Sequence, residues 1–95
     1  MSYAKKVDIN QKDIVKALRE NNADVFLLHM VGQGIPDLMV AYEGHTILME
    51  VKDGEDKLLT PQQIKFFAAW QGGPLFRVNS VQDALEVIKS FKQEI

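Results

Sequence analysis

The feature that most constrains this chain is a predicted β-hairpin that turns at Glu43-Gly44. Runs rich in Val, Ile, Leu and Met flank this dipeptide, and the glycine supplies the positive φ that a tight turn needs. If these two residues form the loop, Tyr42 pairs with His45, and the same register sets Asp37 directly opposite Glu50. Side chains opposite each other on antiparallel strands have Cβ atoms about 5 Å apart. The hairpin therefore brings two carboxylates together.

A lysine shares the face of these two carboxylates. Lys52 follows Glu50 by two positions, so both side chains project from the same side of the strand. Carboxylates held close together repel each other and need a cation to stay ionised, and hard oxygen ligands suit Mg²⁺ or Mn²⁺. The pattern alone leaves two interpretations, a metal site or a pair of Glu50 and Lys52 on a solvated face with Asp37 merely beginning a strand. Short charge patterns are weak evidence and more commonly mean the second.

The segments around these residues carry a family resemblance. They read Gly32-Gln33-Gly34-Ile35-Pro36-Asp37-Leu38, then Glu50-Val51-Lys52, then Lys57-Leu58-Leu59-Thr60-Pro61-Gln62-Gln63. Together they resemble the VRR-NUC family, the virus-type replication-repair nucleases of the PD-(D/E)XK superfamily. The resemblance extends from the first predicted helix to about Trp70. It implies a restriction-endonuclease-like core and an Mg²⁺- or Mn²⁺-dependent nuclease.

The resemblance also implies roles for individual residues. The counterparts of Asp37 and Glu50 hold the metal in that family, and the residue at the position of Val51 lends a backbone carbonyl. The counterpart of Lys52 orients or activates the attacking water. Gln63 matches the glutamine of the family's Leu-Ser-Pro-x-Gln segment, which implies hydrogen bonds around the site or to the scissile phosphate.

The first predicted helix departs from the superfamily pattern. Its apolar stripe includes Ile14, Val15 and Leu18 between about residues 10 and 21, and Gln11 lies at the N-terminal end of that stripe. The superfamily commonly has a glutamate on the inner face of this helix as an additional metal ligand. Gln11 is a neutral, weaker ligand at that place, and the alternative is a glutamine that satisfies backbone groups near the helix start.

The rest of the chain completes an α/β pattern of the order α-β-β-β-α-β-α. The apolar run Val25–Val31 predicts a strand buried on both faces. Thr60-Pro61 predicts a helix start. The apolar stripe of this helix comprises Gln63, Phe66, Phe67 and Trp70. For its aromatic residues, packing in the core is favoured over a surface that stacks on bases. Leu75–Val78 predicts a short strand, and the stripe from Val81 to Phe91 a last helix. These elements indicate a mixed β-sheet flanked by helices.

Length and composition limit the number of domains and the classes of site and location that this chain can have. The 95 residues suit a single domain spanning 1–95, with residues 1–7 expected to be frayed. The absence of cysteine excludes disulfides, thiolate zinc sites and cysteine nucleophiles. No apolar run approaches the ~20 residues of a membrane span, and the first residues lack a signal-peptide core. We expect no membrane partner and an intracellular protein, which the resemblance places in the cytoplasm of a bacterial or phage-infected host cell.

The net charge of −2 opposes a nucleic-acid enzyme, because phosphate contacts usually require a basic surplus. Bound cations would offset the acidic residues of a metal site, and 11 lysines and arginines can still cluster on one face. The candidates are Lys5, Lys6, Lys12, Lys16, Arg19, Lys52, Lys57 and Lys65.

Two functions from different classes remain. The first is a metal-dependent DNA endonuclease; because family members that consist of this domain alone are associated with symmetric cleavage of four-way junctions, the resemblance implies branched DNA and a C₂ homodimer. The second is a catalytically silent module that binds nucleic acid or protein on the same scaffold. A small-molecule enzyme has no support, because the sequence contains no cofactor fingerprint.

Overall fold

The fold of this protein, taken from a computed structural model, is described for residues 8–92; the predicted frayed segment 1–7 and Ile95 lie outside them. The helices are α1 (Gln11–Glu20), α2 (Pro61–Ala69) and α3 (Val81–Ser90). The strands are β1 (Asp24–Leu27), β2 (Leu38–Tyr42), β3 (His45–Val51) and β4 (Leu75–Val78). They form one four-stranded sheet in the order β1-β2-β3-β4. The predicted order of elements and the mixed sheet are both confirmed.

The hairpin between β2 and β3 has the predicted register. Glu43 and Gly44 adopt φ values of 50° and 80°, as a two-residue type I′ turn requires. Tyr42 pairs with His45, and the ladder continues to the pair Leu38 and Met49. The next position along each strand brings Asp37 opposite Glu50.

The two faces of the sheet differ in what covers them. Because side chains alternate along a strand, Met49 and Val51 project from one face and Glu50 from the other. The first face packs against α1 and α3, and together they form the core. The fully buried side chains of this core include Ile14, Leu18, Val40, Ile47, Met49 and Ile88. β4 pairs with β3 in parallel, and α2 makes the crossover that a parallel pair needs.

The prediction of a strand buried on both faces over Val25–Val31 is wrong. β1 ends at Leu27 and lies at the edge of the sheet. Beyond it the chain turns, with the Val31 amide donating to the Leu28 carbonyl at 2.9 Å. Phe26 is 54% exposed and Val31 is 51% exposed. The apolar run misled because an edge strand and a turn can leave apolar side chains in contact with solvent.

The prediction of core packing for the stripe on α2 is also wrong for its aromatic members. Phe66 and Phe67 are only half-buried and Trp70 is 40% exposed, and none of them belongs to the core formed within residues 8–92. Instead the rings of Phe66 and Trp70 stack on each other, with centroids 5.2 Å apart. Gln63 is the buried residue of this helix.

The last helix forms as predicted. Ser80 caps α3 by accepting a hydrogen bond from the Asp83 amide at 3.0 Å, and Ala84 and Ile88 are buried in the core. Phe91 packs against His45 at the hairpin turn, with ring centroids 5.0 Å apart. None of the helices within residues 8–92 has the length and apolarity to cross a bilayer.

Candidate active site

The two acidic side chains of the hairpin are both buried. Asp37 is 1% exposed and Glu50 is 0% exposed. The Asp37 carboxylate accepts a hydrogen bond from the backbone amide of Val51, with 2.8 Å between the nitrogen and Oδ2. A buried carboxylate needs such partners, because it has lost its hydration. The bond also fixes Asp37 to the residue that lies between Glu50 and Lys52.

Lys52 completes the cluster at the end of β3. Its side chain projects from the same strand face as Glu50 and is largely buried, at 8% exposure. Its amide donates to the Val78 carbonyl at 3.0 Å, and its carbonyl accepts from the side-chain amide of Asn10 at 3.2 Å. The peptide groups on both sides of Lys52 are therefore held, one by β4 and the other by the start of α1.

Asn10 has a role that its sequence position conceals. An asparagine just before a helix predicts an N-cap, but its side chain makes no capping hydrogen bond. The Asn10 amide instead donates to the carbonyls of Lys52 and Asn79, at 3.2 and 3.0 Å. It joins the ends of two parallel strands beside the candidate site. The sequence contained no signal for this contact, because both partners are backbone atoms.

Gln63 is buried in the first turn of α2, and its side chain makes two specific contacts. Thr60 accepts from the Gln63 amide at 3.2 Å, and the Gln63 side-chain oxygen accepts from the Thr60 amide at 2.8 Å. This capping box uses the oxygen of the side chain, so its nitrogen is directed to the Glu50 carboxylate at 3.2 Å. The first turn of α2 thus orients the glutamate of the hairpin.

Gly34 brings the segment before Asp37 against the start of α2. A Cβ added at Gly34 would lie 2.4 Å from the carbonyl oxygen of Gln62, and its φ of +78° is in the left-handed region. Only glycine satisfies both conditions without strain. By contrast, a Cβ at Gly32 would meet nothing within 4 Å. Gly34 therefore links two of the segments that carry the family resemblance.

Arg77 supports the loop that follows Lys52. It lies beside Glu50 in the parallel pair of β3 and β4. Its guanidinium donates to the carbonyls of Gly54 and Glu55, at 3.0 and 3.2 Å, and to the Asn79 side chain at 2.8 Å. The loop after Lys52 is thereby attached to β4.

Gln11 is buried as predicted, at the N-terminal end of α1. It is 3% exposed, and its side-chain oxygen has no hydrogen-bond partner within residues 8–92. It lines a groove between α1 and the segment that includes Leu27 and His29, whereas Gln63 contacts Glu50 directly. Because Asn10 contacts the Lys52 carbonyl, the start of α1 lies close to the end of β3.

The donor atoms of the site suit a hard divalent cation. The described part of the chain gathers no group of three or more His, Cys, Asp and Glu side chains that could hold a metal. The candidate protein ligands are instead the carboxylates of Asp37 and Glu50 and the carbonyl of Val51, all of them oxygen. Mg²⁺ is commonly bound by one or two carboxylates and completes its shell with water and substrate phosphates. The unpartnered oxygen of Gln11 is an additional candidate, so the residues present fit such an ion.

Comparisons with known proteins give one informative match. No family model matches the sequence, and no curated protein matches it. Among solved structures, one described as "VRR_NUC domain" superposes with a TM-score of 0.71 and 26% sequence identity. The match covers 86% of this chain and 92% of that chain. The resemblance predicted from the hairpin and its flanking segments is confirmed at the level of the fold.

Proposed function

We propose that this chain, which has the fold of a VRR_NUC domain, is a metal-dependent endonuclease that hydrolyses phosphodiester bonds in DNA. The observation that supports this most directly is the buried cluster at the end of the hairpin. Asp37, Glu50 and Lys52 are each less than a tenth exposed. Burial of ionisable groups is costly unless they are paired or hydrogen-bonded, so three of them buried at the end of one hairpin are a candidate functional site.

Each residue of the cluster has a role in this mechanism. A divalent cation held by Asp37, Glu50 and the Val51 carbonyl would polarise the phosphoryl oxygen and acidify a bound water. The ammonium of Lys52 orients the attacking water and offsets the negative charge that develops on the phosphorus oxygens. Gln63 keeps the Glu50 carboxylate in place by donating to it. The Val51 amide does the same for Asp37.

A catalytically silent binding module is the second candidate. The net charge of −2 and the neutral Gln11 favour it, whereas the intact set of Asp37, Glu50 and Lys52 favours the enzyme. Calorimetric titration with Mn²⁺ separates the two. The endonuclease binds the ion, and an Asp37→Asn, Glu50→Gln double variant does not. Failure of the wild type to bind Mn²⁺ would favour the silent module.

We further propose branched DNA as the substrate and a C₂ homodimer as the active form, since symmetric cutting of a junction needs two sites. The end of α3 is less suited to the dimer interface, because Phe91 packs on His45 and Phe76 of its own chain. The face of α2 offers more, with Ile64 55% and Trp70 40% exposed. Light scattering should then give roughly twice the chain mass of 10.8 kDa.

Incubation with labelled four-way junctions, flaps and plain duplexes in Mg²⁺ or Mn²⁺ tests the substrate class. The proposal predicts paired, symmetric cuts in the junction. A chain that stays monomeric and nicks flaps or single strands alone would refute the junction and dimer proposals while leaving the metal site intact.

A further inference from the structure

A groove of about 780 Å³ runs along α1 on the side of the edge strand β1. Its apolar wall includes Val15 and Leu27, and its polar groups include Gln11 and His29. None of the residues that line it belongs to the cluster of Asp37, Glu50 and Lys52. The mechanism above leaves the groove without a function.

Two polar atoms in this groove have unmet hydrogen-bonding capacity. The side-chain oxygen of Gln11 and Nδ1 of His29 are both buried, and neither has a hydrogen-bond partner within residues 8–92. Buried polar groups are nearly always paired in native structures, because an unpaired one has lost its water without replacement. These two atoms can pair with water or with a ligand that offers polar edges of its own, since the amide oxygen accepts and the imidazole nitrogen can accept or donate.

The helix beside the groove carries a basic stripe. Lys12, Lys16 and Arg19 follow each other at spacings of four and three, so they share one side of α1, and all three line the groove. Arg19 is held there by its bond to the Val25 carbonyl at 2.8 Å. The same lining includes two acidic side chains, Asp13 and Glu20, so the basic ones exceed the acidic ones by one. In a chain with a net charge of −2, this local basic surplus favours an anionic ligand.

The groove also begins near the candidate active site. Gln11 lies at its start, directly after Asn10, whose side chain contacts the Lys52 carbonyl. From Gln11 to Glu20 the helix advances by about 14 Å, and both of these residues line the groove. A flexible ligand bound at the hairpin can therefore continue along α1.

We propose that this groove binds a single-stranded segment of DNA that leaves the active site. An unpaired base lies against Val15 and Leu27 and hydrogen-bonds to Gln11 and His29, while phosphates contact Lys12 and Lys16. The inference rests on the proposed function in naming DNA as the ligand. It adds that the branched DNA presents unpaired nucleotides to the protein at its branch point, next to the cut.

Binding is measured without cleavage, by fluorescence anisotropy of a labelled oligothymidylate in EDTA. The test variant is Lys12→Gln, Lys16→Gln. The matched control is Lys89→Gln, Lys92→Gln, which makes the same change in charge on exposed residues near Phe91 and the hairpin turn. Each lost phosphate contact reduces the magnitude of the negative slope of log K against log salt by about 0.7 for single strands. The slope of the test variant should therefore be smaller in magnitude by about 1.4, and the variant should bind at least tenfold more weakly.

Two further measurements address the base and the fold. A labelled strand of the same length with abasic sugars should bind to the wild type more weakly than the oligothymidylate does. Gln11→Met should bind the two strands with nearly equal affinity. The midpoint of thermal unfolding of Gln11→Met should stay level or rise, because methionine removes an unpartnered oxygen. Lower affinity with an intact fold then identifies a ligand contact.

Defined results would overturn the inference. Equal slopes and affinities for the test and control pairs would refute the proposed phosphate contacts. Equal binding of abasic and thymidylate strands would refute the proposed contact with a base. Preference for an acidic peptide over the oligonucleotide would assign the groove to a protein partner. The proposed function is tested separately, by cleavage in Mg²⁺. If the chain is inactive but the binding differences between test and control variants are present, the groove proposal stands and the nuclease proposal fails. If the chain cleaves DNA but those binding differences are absent, the groove proposal fails.

Discussion

Two substitutions at Asp37 should have opposite effects on stability although both remove its charge. Asparagine keeps a side-chain oxygen that can accept the bond from the Val51 amide, which is 2.8 Å long in the wild type. It also relieves repulsion with Glu50. Alanine removes the acceptor and leaves a buried amide unpaired. In the absence of metal we therefore expect Asp37→Asn to be at least as stable as the wild type and Asp37→Ala to be less stable.

The size of the difference follows from the burial of the bond. Asp37 is 1% exposed and Val51 is 0% exposed, so water cannot readily replace the lost acceptor. Leaving a buried donor unsatisfied costs about 1–3 kcal/mol. In a domain of this size each kcal/mol changes the unfolding midpoint by about 4–8 °C. Asp37→Ala should thus melt roughly 5–20 °C below Asp37→Asn.

Thermal unfolding followed by circular dichroism in EDTA measures this difference directly. The matched control pair is Asp24→Asn and Asp24→Ala, at an exposed position of β1, and these two should melt close together. Equal midpoints for the two Asp37 variants would refute the reasoning, because they would show that the bond to Val51 contributes nothing to stability.

Three more predictions concern the surroundings of the site. Gly34→Ala should lower the free energy of unfolding by more than the about 1–2 kcal/mol of a left-handed backbone, since it also collides with α2; urea unfolding that matches the wild type would contradict this. Thr60→Ala and Gln63→Leu should each lower the free energy of unfolding by about 1 kcal/mol, because each removes part of the capping box. Only Gln63→Leu should weaken Mn²⁺ binding in calorimetry, because it alone loses the contact to Glu50. Gln11→Glu should raise Mn²⁺ affinity by adding a carboxylate; a flat or lower affinity would show that Gln11 lies away from the metal.

The hairpin was predictable because a two-residue turn leaves no freedom in its register. Once Glu43 and Gly44 form the loop, every pair outward is determined, including Leu38 with Met49. The caps were predictable for a similar reason, since Thr60 and Ser80 bond to backbone amides close to them in sequence. Local geometry of this kind is encoded within a few residues.

The position of each element in the sheet was not predictable in the same way. The apolar run that includes β1 suggests burial, yet Phe26 is exposed on this edge strand and Val31 is exposed in the turn that follows it. Hydrophobic periodicity shows that a face is apolar, without showing what covers it. The same limit explains the half-buried aromatic residues of α2.

Long-range polar contacts were the other part that the sequence did not reveal. Asn10 reaches the Lys52 carbonyl across 42 positions of the chain, and Arg77 reaches the Gly54 carbonyl across 23. Such bonds depend on the finished topology, and their backbone acceptors leave no pattern in residue type. The amide orientation of Gln63 is similar, because it follows from the simultaneous bonds to Thr60 and Glu50.

Whether the buried cluster hydrolyses DNA is measured by comparing cleavage by Lys52→Ala with cleavage by the wild type. Both purified proteins are incubated with a labelled four-way junction in Mg²⁺, after circular dichroism has shown that the variant is folded. We expect the wild type to cleave the junction only when the metal is present, and Lys52→Ala not to cleave it. Cleavage retained by the folded variant would contradict this expectation.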